Sequence, residues 1–152
     1  MEKHLNVVVS NRSKSESFRP DTTERWAAIS IFTPGDSPAE LVGFVKVIHL
    51  CFDDVCSSMP NTTRFTPQMA EQTWAFVDEI LDADIPNLLV HCDAGMSRSP
   101  GMAIAIDEIV NGSTTRAAQH PYYNSLVYRS MVNEKNKGKV SGFTFIEDHL
   151  KS

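Results

Sequence analysis

The chain has 152 residues, of which 41% are hydrophobic and 22% are charged, the ordinary composition of a globular protein long enough to bury a core. Its formal net charge of −5 at pH 7 argues against a partner such as nucleic acid or an anionic membrane, because binding to either depends on clustered Lys and Arg. Its three cysteines lack regular spacing, and its first residues hold too short an apolar run for a signal peptide. We therefore expect one cytoplasmic domain over residues 1–152, with reduced thiols; the oligomeric state stays open.

The first half of the chain alternates polar segments with short apolar runs. Polar residues without periodicity favour a loop, and β-branched and aromatic residues favour strands. Asp53 and Asp54 stand at the end of the second of these runs, and a polar segment follows them. The pattern predicts a surface loop over 10–25, a strand over 26–32, a turn over 33–38 and a strand over 43–52.

A helix is predicted to begin where Thr66 supplies an N-cap and Pro67 takes the first helical position. The apolar residues that follow have helical spacing and form one face. Trp74 and Phe76 are expected in the core, and Pro86 prevents the helix from continuing. The apolar positions that define this face are Ala70, Trp74, Val77 and Leu81.

The second half predicts a short buried strand followed by helices. We expect the strand over 87–91, a helix over 100–111 that Gly112 closes, and one or two helices over 114–136 with a break at Pro121. Strands that alternate with helices indicate parallel pairing. The predicted fold class is α/β, with a central, mostly parallel sheet flanked by helices and a site at the carboxyl ends of the strands.

The segment HCDAGMSRS, from His91 to Ser99, joins the predicted buried strand to the helix that follows. In such a unit, the N–H groups of the loop and the positive end of the helix point at one spot, which favours an anion. Gly95 permits a turn that a residue with a Cβ resists. The sequence therefore predicts a phosphate-binding loop made of Asp93, Ala94, Gly95, Met96, Ser97 and Arg98.

Three residues in this segment have the chemistry of nucleophilic catalysis. The same N–H groups and helix dipole favour a thiolate at Cys92, and a thiolate is a nucleophile. Arg98 can offer its planar guanidinium to two oxygens of a bound phosphate. The Ser99 hydroxyl can donate a hydrogen bond to the cysteine sulfur and help it leave in a second step. We predict catalytic roles for all three.

The sequence HCDAGMSRS resembles the active-site signature of the cysteine-based protein tyrosine phosphatase superfamily, and most closely that of its small dual-specificity branch. The resemblance implies the corresponding phosphatase fold and a phosphocysteine intermediate. It implies that an aspartic acid on another loop protonates the leaving oxygen and later serves as the base for water. The implied substrate is a phosphoprotein or phosphopeptide carrying phosphotyrosine; activity on phosphoserine and phosphothreonine stays open.

The resemblance assigns further roles outside the three catalytic residues. The pair Asp53 and Asp54 resembles the acid loop of small phosphatases, and Asp54 is the predicted general acid with Asp53 in a supporting role. His91 is predicted to hydrogen-bond within the loop and keep the cysteine ionised, with core packing as the alternative. Asn124 is predicted to brace the phosphate loop through side-chain hydrogen bonds, with a helix cap as the alternative. Asp93 places a negative charge beside the pocket. The loop lacks the lysines that phosphatases of inositol lipids tend to carry, and this absence in an acidic chain argues against a phosphoinositide substrate.

The remaining thiols leave a redox question open. Cys51 is predicted on a strand that neighbours the strand of Cys92, and Cys56 follows the two aspartates, so either could form a protective disulfide with Cys92.

The histidines have no metal-ligand spacing with Cys or carboxylates, so we expect no metal, and no cofactor is implied. The alternatives to a phosphoprotein phosphatase are an RNA 5′-phosphatase, a phospholipid phosphatase or a phosphate-binding module with weak catalysis.

Overall fold

The structure, a computed structural model, describes residues 4–141, with side chains up to residue 137. The predicted single domain over 1–152 therefore extends beyond the described residues. None of the helices in the described part is both long and apolar enough to cross a membrane. The strands are β1 (Asn6–Asn11), β2 (Trp26–Phe32), β3 (Lys46–Cys51) and β4 (Asn87–Cys92), and the helices are α1 (Arg12–Ser17), α2 (Pro67–Asp82), α3 (Arg98–Ile106) and α4 (Ser125–Ser141).

The four strands form one parallel sheet in the order β1-β4-β2-β3. All six residues of β4 are buried, as expected for an apolar run at the centre of a parallel sheet. The predicted α/β class with a parallel sheet flanked by helices is confirmed. One expectation was wrong: β3 pairs with β2, so the strand that precedes Asp53 is not a neighbour of the strand that ends at Cys92.

The strand β1 was absent from the sequence prediction. Its apolar content is three valines, too few to distinguish a strand from a polar terminus. Its place depends on contacts from far along the chain: the Asn111 side chain accepts a hydrogen bond from Leu5 N at 2.9 Å and donates one to Leu5 O at 2.7 Å. Arg116 Nη2 donates to Val7 O at 2.6 Å and Arg116 pairs with Asp107 at 3.0 Å.

The predicted loop over 10–25 contains a short helix. Asn11 is its N-cap and accepts a hydrogen bond from Lys14 N at 2.8 Å, which satisfies one of the free N–H groups of the first turn. Arg12 and Glu16, one turn apart, form an ion pair at 3.3 Å. The prediction of an irregular loop was therefore wrong for residues 10 and 11, which end β1, and for Arg12–Ser17, because a capping residue and one ion pair are weak signals in a polar segment.

The helix α2 begins where the sequence predicts and ends at Asp82, ahead of the Pro86 that was expected to prevent its continuation. Thr66 accepts a hydrogen bond from Met69 N at 3.1 Å, and Pro67 is the first helical residue. Trp74 and Phe76 are buried, which confirms their place in the core. The indole of Trp74 also donates to Met131 O at 2.9 Å, so this side chain holds α4 against α2.

The helical segments after β4 differ in detail from their prediction. The helix α3 begins at Arg98, two residues earlier than expected, and continues as a π-helical turn over Asp107–Asn111. Gly112 closes it with a φ of 73°, in the left-handed region that glycine occupies without strain. The region after it contains a 3-10 helix, Arg116–Gln119, and then α4, separated at Pro121 as predicted.

Candidate active site

The loop between β4 and α3 is shaped to receive an anion. Within the described part of the chain, the backbone N–H groups of residues 94–98 donate to no protein acceptor. Gly95 has a φ of 73°, and a Cβ on it would lie 2.8 Å from Ser10 O, so both the backbone angle and the end of β1 exclude larger residues. Consecutive free N–H groups ahead of a helix are the donors that bind phosphate in proteins.

The Cys92 thiol lies at the base of this loop, at the last position of β4, and is 2% exposed. Its sulfur lies 3.1 Å from Ser99 Oγ and 3.4 Å from the backbone nitrogen of Ser99, which donates to it. Both contacts come from the first turn of α3. The Ser99 N–H and the Ser99 hydroxyl therefore both lie against the sulfur on the side of the helix, where a negative charge is most favourable.

The Arg98 guanidinium is buried and held along one edge. Its Nη1 donates to Phe52 O at 2.8 Å and to Thr33 Oγ1 at 2.9 Å, and its Nη2 donates to Asp93 Oδ2 at 3.2 Å. Since a guanidinium has five N–H bonds, Nε–H and one Nη2–H have no partner among the described residues. The free pair has the geometry that binds two oxygens of a phosphate.

Asp93 lies at the exposed side of the loop. Its carboxylate accepts hydrogen bonds from Thr33 Oγ1 at 2.9 Å and from Arg98 at 3.2 Å. Partial burial works against ionisation, but the hydrogen bonds from Thr33 and Arg98 and the charges of Arg98 and Arg12 together lower the pKa of Asp93 below its ordinary value. The loop therefore carries a negative charge beside Arg98.

The two adjacent aspartates face different partners. Asp54 Oδ1 accepts a hydrogen bond from Ser97 Oγ at 2.7 Å, which joins the loop after β3 to the phosphate-binding loop. Asp53 instead closes its own loop, since its Oδ2 accepts from Thr63 N at 2.7 Å and its N donates to Thr63 O at 2.7 Å. The structure thus brings Asp54 to the predicted site and turns Asp53 away from it.

Asn124 connects three parts of the site, and its side chain forms the helix cap that was the alternative to bracing the phosphate-binding loop. Its backbone N donates to Ser97 O at 2.9 Å, and its side-chain Nδ2 donates to Asp54 Oδ1 at 2.8 Å. Its Oδ1 accepts from Val127 N at 3.0 Å, which caps α4. The side chain therefore holds the loop after β3 and the helix α4, whereas the contact to the phosphate-binding loop is made by the backbone.

His91 is fully buried in the middle of the sheet. Its Nε2 lies 2.7 Å from Ser30 Oγ on β2 and its Nδ1 lies 3.2 Å from Cys92 O. A carbonyl only accepts, so Nδ1 carries the proton and Nε2 accepts from Ser30. Burial lowers the pKa of His91 below its ordinary value of 6.5, which keeps the ring neutral.

The strand order argues against one of the two disulfides that the sequence left open, the one between Cys51 and Cys92. Cys51 ends β3, which is two strands from β4, or roughly 9–10 Å, whereas a disulfide needs Cα atoms within about 7 Å. Cys56 contacts Asn124 Oδ1 at 3.6 Å and Ser125 Oγ at 3.7 Å.

Among the described residues, no three His, Cys, Asp or Glu side chains meet as a metal site requires.

Two residues in the site have no counterpart in the sequence analysis. Thr33 forms hydrogen bonds with both Arg98 and Asp93, and Ser30 forms one with His91. Both belong to β2 or to the turn after it, which lies beside β4 in the sheet. The rule that sites form at the carboxyl ends of parallel strands could have suggested Thr33, had the strand order been known.

Comparison with known proteins gives a structural similarity alone, since no family model and no curated protein sequence matches this chain. Among solved structures, the chain is similar to the human tyrosine phosphatase-like serine/threonine/tyrosine-interacting protein, with a TM-score of 0.56 and 16% identity. The match covers 85% of this chain and 90% of that one. The chain therefore has a fold of the protein tyrosine phosphatase type.

Proposed function

We propose that this protein is a cysteine-dependent phosphatase of phosphoproteins, acting on phosphotyrosine and also on phosphoserine and phosphothreonine. The observation that carries the proposal is the row of free N–H groups over residues 94–98, with the Cys92 sulfur at its base and two N–H groups of Arg98 that have no partner among the described residues. Donors of this kind, fixed before the substrate arrives, stabilise the charge that develops on a transferring phosphoryl group.

In the first step, the Cys92 thiolate attacks phosphorus, so that an S–P bond forms and the P–O bond to the leaving group breaks. The equatorial oxygens accept hydrogen bonds from the loop and from Arg98. Asp54 gives its proton to the leaving oxygen, which departs as a phenol or an alcohol. Ser97 and Asn124 both donate to Asp54 Oδ1, so the transferable proton belongs on Oδ2.

In the second step, water attacks the phosphocysteine while Asp54, now ionised, accepts its proton. The S–P bond breaks, inorganic phosphate leaves and the thiolate is restored. The 3.1 Å contact between Ser99 Oγ and the Cys92 sulfur supports this step, because a hydroxyl that donates to sulfur makes the thiolate a better leaving group.

The solvent exposure of the phosphate-binding loop bears on the class of substrate. Asp93, Ala94 and Met96 are exposed, so the rim of the loop opens to solvent. An open rim suits phosphoserine and phosphothreonine as well as the longer phosphotyrosine. The charge of Asp93 and the net charge of −5 disfavour polyanionic substrates such as triphosphate-ended RNA or phosphoinositides.

Hydrolysis of p-nitrophenyl phosphate by the purified chain tests the proposal. We expect turnover in the wild type, a loss of about a thousandfold or more in Cys92→Ser, and wild-type rates in the control Cys51→Ser. Acid quenching of a reaction with ³²P-labelled phosphotyrosyl peptide should trap label on the wild-type protein and none on Cys92→Ser.

Three results would overturn the proposal. Turnover that survives in Cys92→Ser would remove the nucleophile from its role. A folded wild type that binds tungstate but hydrolyses neither p-nitrophenyl phosphate nor phosphopeptides would be a phosphate-binding module. Faster hydrolysis of triphosphate-ended RNA or phosphoinositide than of phosphopeptide would move the substrate outside phosphoproteins.

A further inference from the structure

We propose that Thr33 is a positioning residue for Arg98, holding the guanidinium so that its free edge faces the bound phosphoryl group. The inference deepens the proposed function and rests on it, since Arg98 is the group that would bind the substrate oxygens. Thr33 stands in the turn after β2 and belongs to neither the phosphate-binding loop nor the acid loop.

The geometry is a closed ring of hydrogen bonds. Arg98 Nη1 donates to Thr33 Oγ1 at 2.9 Å, Thr33 Oγ1 donates to Asp93 Oδ2 at 2.9 Å, and Arg98 Nη2 donates to the same carboxylate oxygen at 3.2 Å. One hydroxyl thus acts as acceptor and donor at once, which uses both of its capacities. The ring joins the end of β2 to both ends of the phosphate-binding loop.

The ring determines which guanidinium hydrogens stay available. Both hydrogens of Nη1 are engaged, one by Thr33 and the other by Phe52 O at 2.8 Å. Rotation of the guanidinium about its plane normal would break these two bonds, so the group has one preferred orientation. In that orientation Nε–H and one Nη2–H lack partners among the described residues and remain for two phosphate oxygens.

Thr33 is a better probe of this arrangement than its neighbours. The Phe52 contact is made by the backbone and no substitution removes it. Asp93 carries a charge that acts on the incoming anion directly, so its substitution would combine two effects. Thr33→Val removes the hydroxyl and keeps the shape of the side chain, and Thr33→Ser keeps the hydroxyl.

The experiment compares wild type, Thr33→Val and Thr33→Ser in three measurements. For Thr33→Val we expect a tungstate Kd, from titration calorimetry, and a KM for p-nitrophenyl phosphate that both rise about tenfold, as for a lost hydrogen bond to a charged group. Thr33→Ser should stay within about threefold of wild type. Iodoacetamide should alkylate Cys92 at the wild-type rate in both variants, because Thr33 does not contact the sulfur.

The outcomes separate this inference from the proposed function. Equal tungstate Kd values in wild type and Thr33→Val would overturn the inference while turnover of p-nitrophenyl phosphate still supports a phosphatase. Slower Cys92 alkylation together with a large fall in melting temperature would show general disruption and would also overturn it. A wild type without turnover whose tungstate binding weakens tenfold in Thr33→Val would support the positioning role and contradict the proposed function.

Discussion

Asp53 and Asp54 are adjacent and chemically identical, yet they have different hydrogen-bond partners and different access to the phosphate-binding loop. The Asp53 carboxylate accepts a hydrogen bond from the backbone N–H of Thr63 and thereby closes the loop after β3. Asp54 is exposed, and its Oδ1 is held by Ser97 and Asn124 from two other segments. A general acid must lie within reach of the leaving oxygen, and only Asp54 is tied to the loop that would hold the phosphate.

Replacing each aspartate by its isostere tests this difference. Asp54→Asn should lower kcat for phenyl phosphate by about a hundredfold, because a poor leaving group needs the proton, and should affect p-nitrophenyl phosphate much less. Asp53→Asn keeps an acceptor for Thr63 N and should stay within about threefold of wild type on both substrates. Steady-state kinetics with the two substrates provide the comparison.

Equal losses on both substrates in Asp54→Asn would mean that the residue shapes the loop without transferring a proton. A larger loss in Asp53→Asn would reverse the assignment. The FDD sequence could identify the pair and favour its second member, but it carried no information on Thr63, Ser97 or Asn124. Those contacts bridge as many as 70 residues, and no local pattern encodes them.

At the scale of elements, the site depends on how closely the segment before α4 approaches α3. A Cβ on Gly101 would lie 2.5 Å from Asn124 O, and Gly101 N and Asn124 N both donate to Ser97 O. Glycine here serves close packing between two elements, and its backbone is ordinary helix. The same approach brings the Asn124 side chain to Asp54.

Gly101→Ala should push the Asn124 segment away from the loop. We expect a loss of about 1–3 kcal/mol in the free energy of unfolding from overpacking, and at least a tenfold fall in kcat for phenyl phosphate as Asp54 loses its support. Urea denaturation and steady-state kinetics measure the two effects. Substrate-independent loss of activity would contradict the link to Asp54.

Gly112→Ala is a matched control for this prediction. Gly112 has a φ of 73°, and a Cβ there would meet nothing within 4 Å. Its substitution should cost about 1–2 kcal/mol of stability through backbone strain and leave kcat unchanged. If both variants lose the same fraction of activity, the effect of Gly101→Ala belongs to stability alone.

At the scale of the whole molecule, the neutral ring of His91 makes stability depend on pH. The pKa of His91 in the folded protein lies below 6.5 because the ring, which extends from β4 and contacts Ser30 on β2, is buried. Its contribution to stability is therefore complete above the unfolded value of 6.5 and is lost as the pH falls through the lowered folded pKa. His120 acts in the same direction, since burial and the charge of Arg116 lower its pKa.

The free energy of unfolding should accordingly be smaller at pH 5.5 than at pH 7.5. His91→Asn removes the titrating group, so the difference between the two pH values should shrink even though the variant is less stable at both. His120→Asn, measured in the same way by urea denaturation, separates the contribution of the second histidine. An unchanged pH difference in His91→Asn would show that other groups cause it.

The sequence by itself determined the elements whose signals are local. Helix α2 has its cap, its first-turn proline and its apolar face within one stretch, and β4 is a continuous apolar run between breakers. HCDAGMSRS likewise contains the proposed nucleophile, the turn glycine and the arginine in nine consecutive residues. Such features depend on backbone preferences and short-range spacing, so a single segment is enough to predict them.

Only the tertiary structure decided the strand order, the place of β1 and the surroundings of the site residues. Parallel strands pair across long connections, and three valines became a strand because they pair with β4, while Arg116 binds the backbone of Val7 and Asn111 binds that of the preceding Leu5. The ring through Thr33 likewise joins residues 65 positions apart. These contacts are set by how the elements pack together, because each partner alone is an ordinary polar side chain with no local signal of its role.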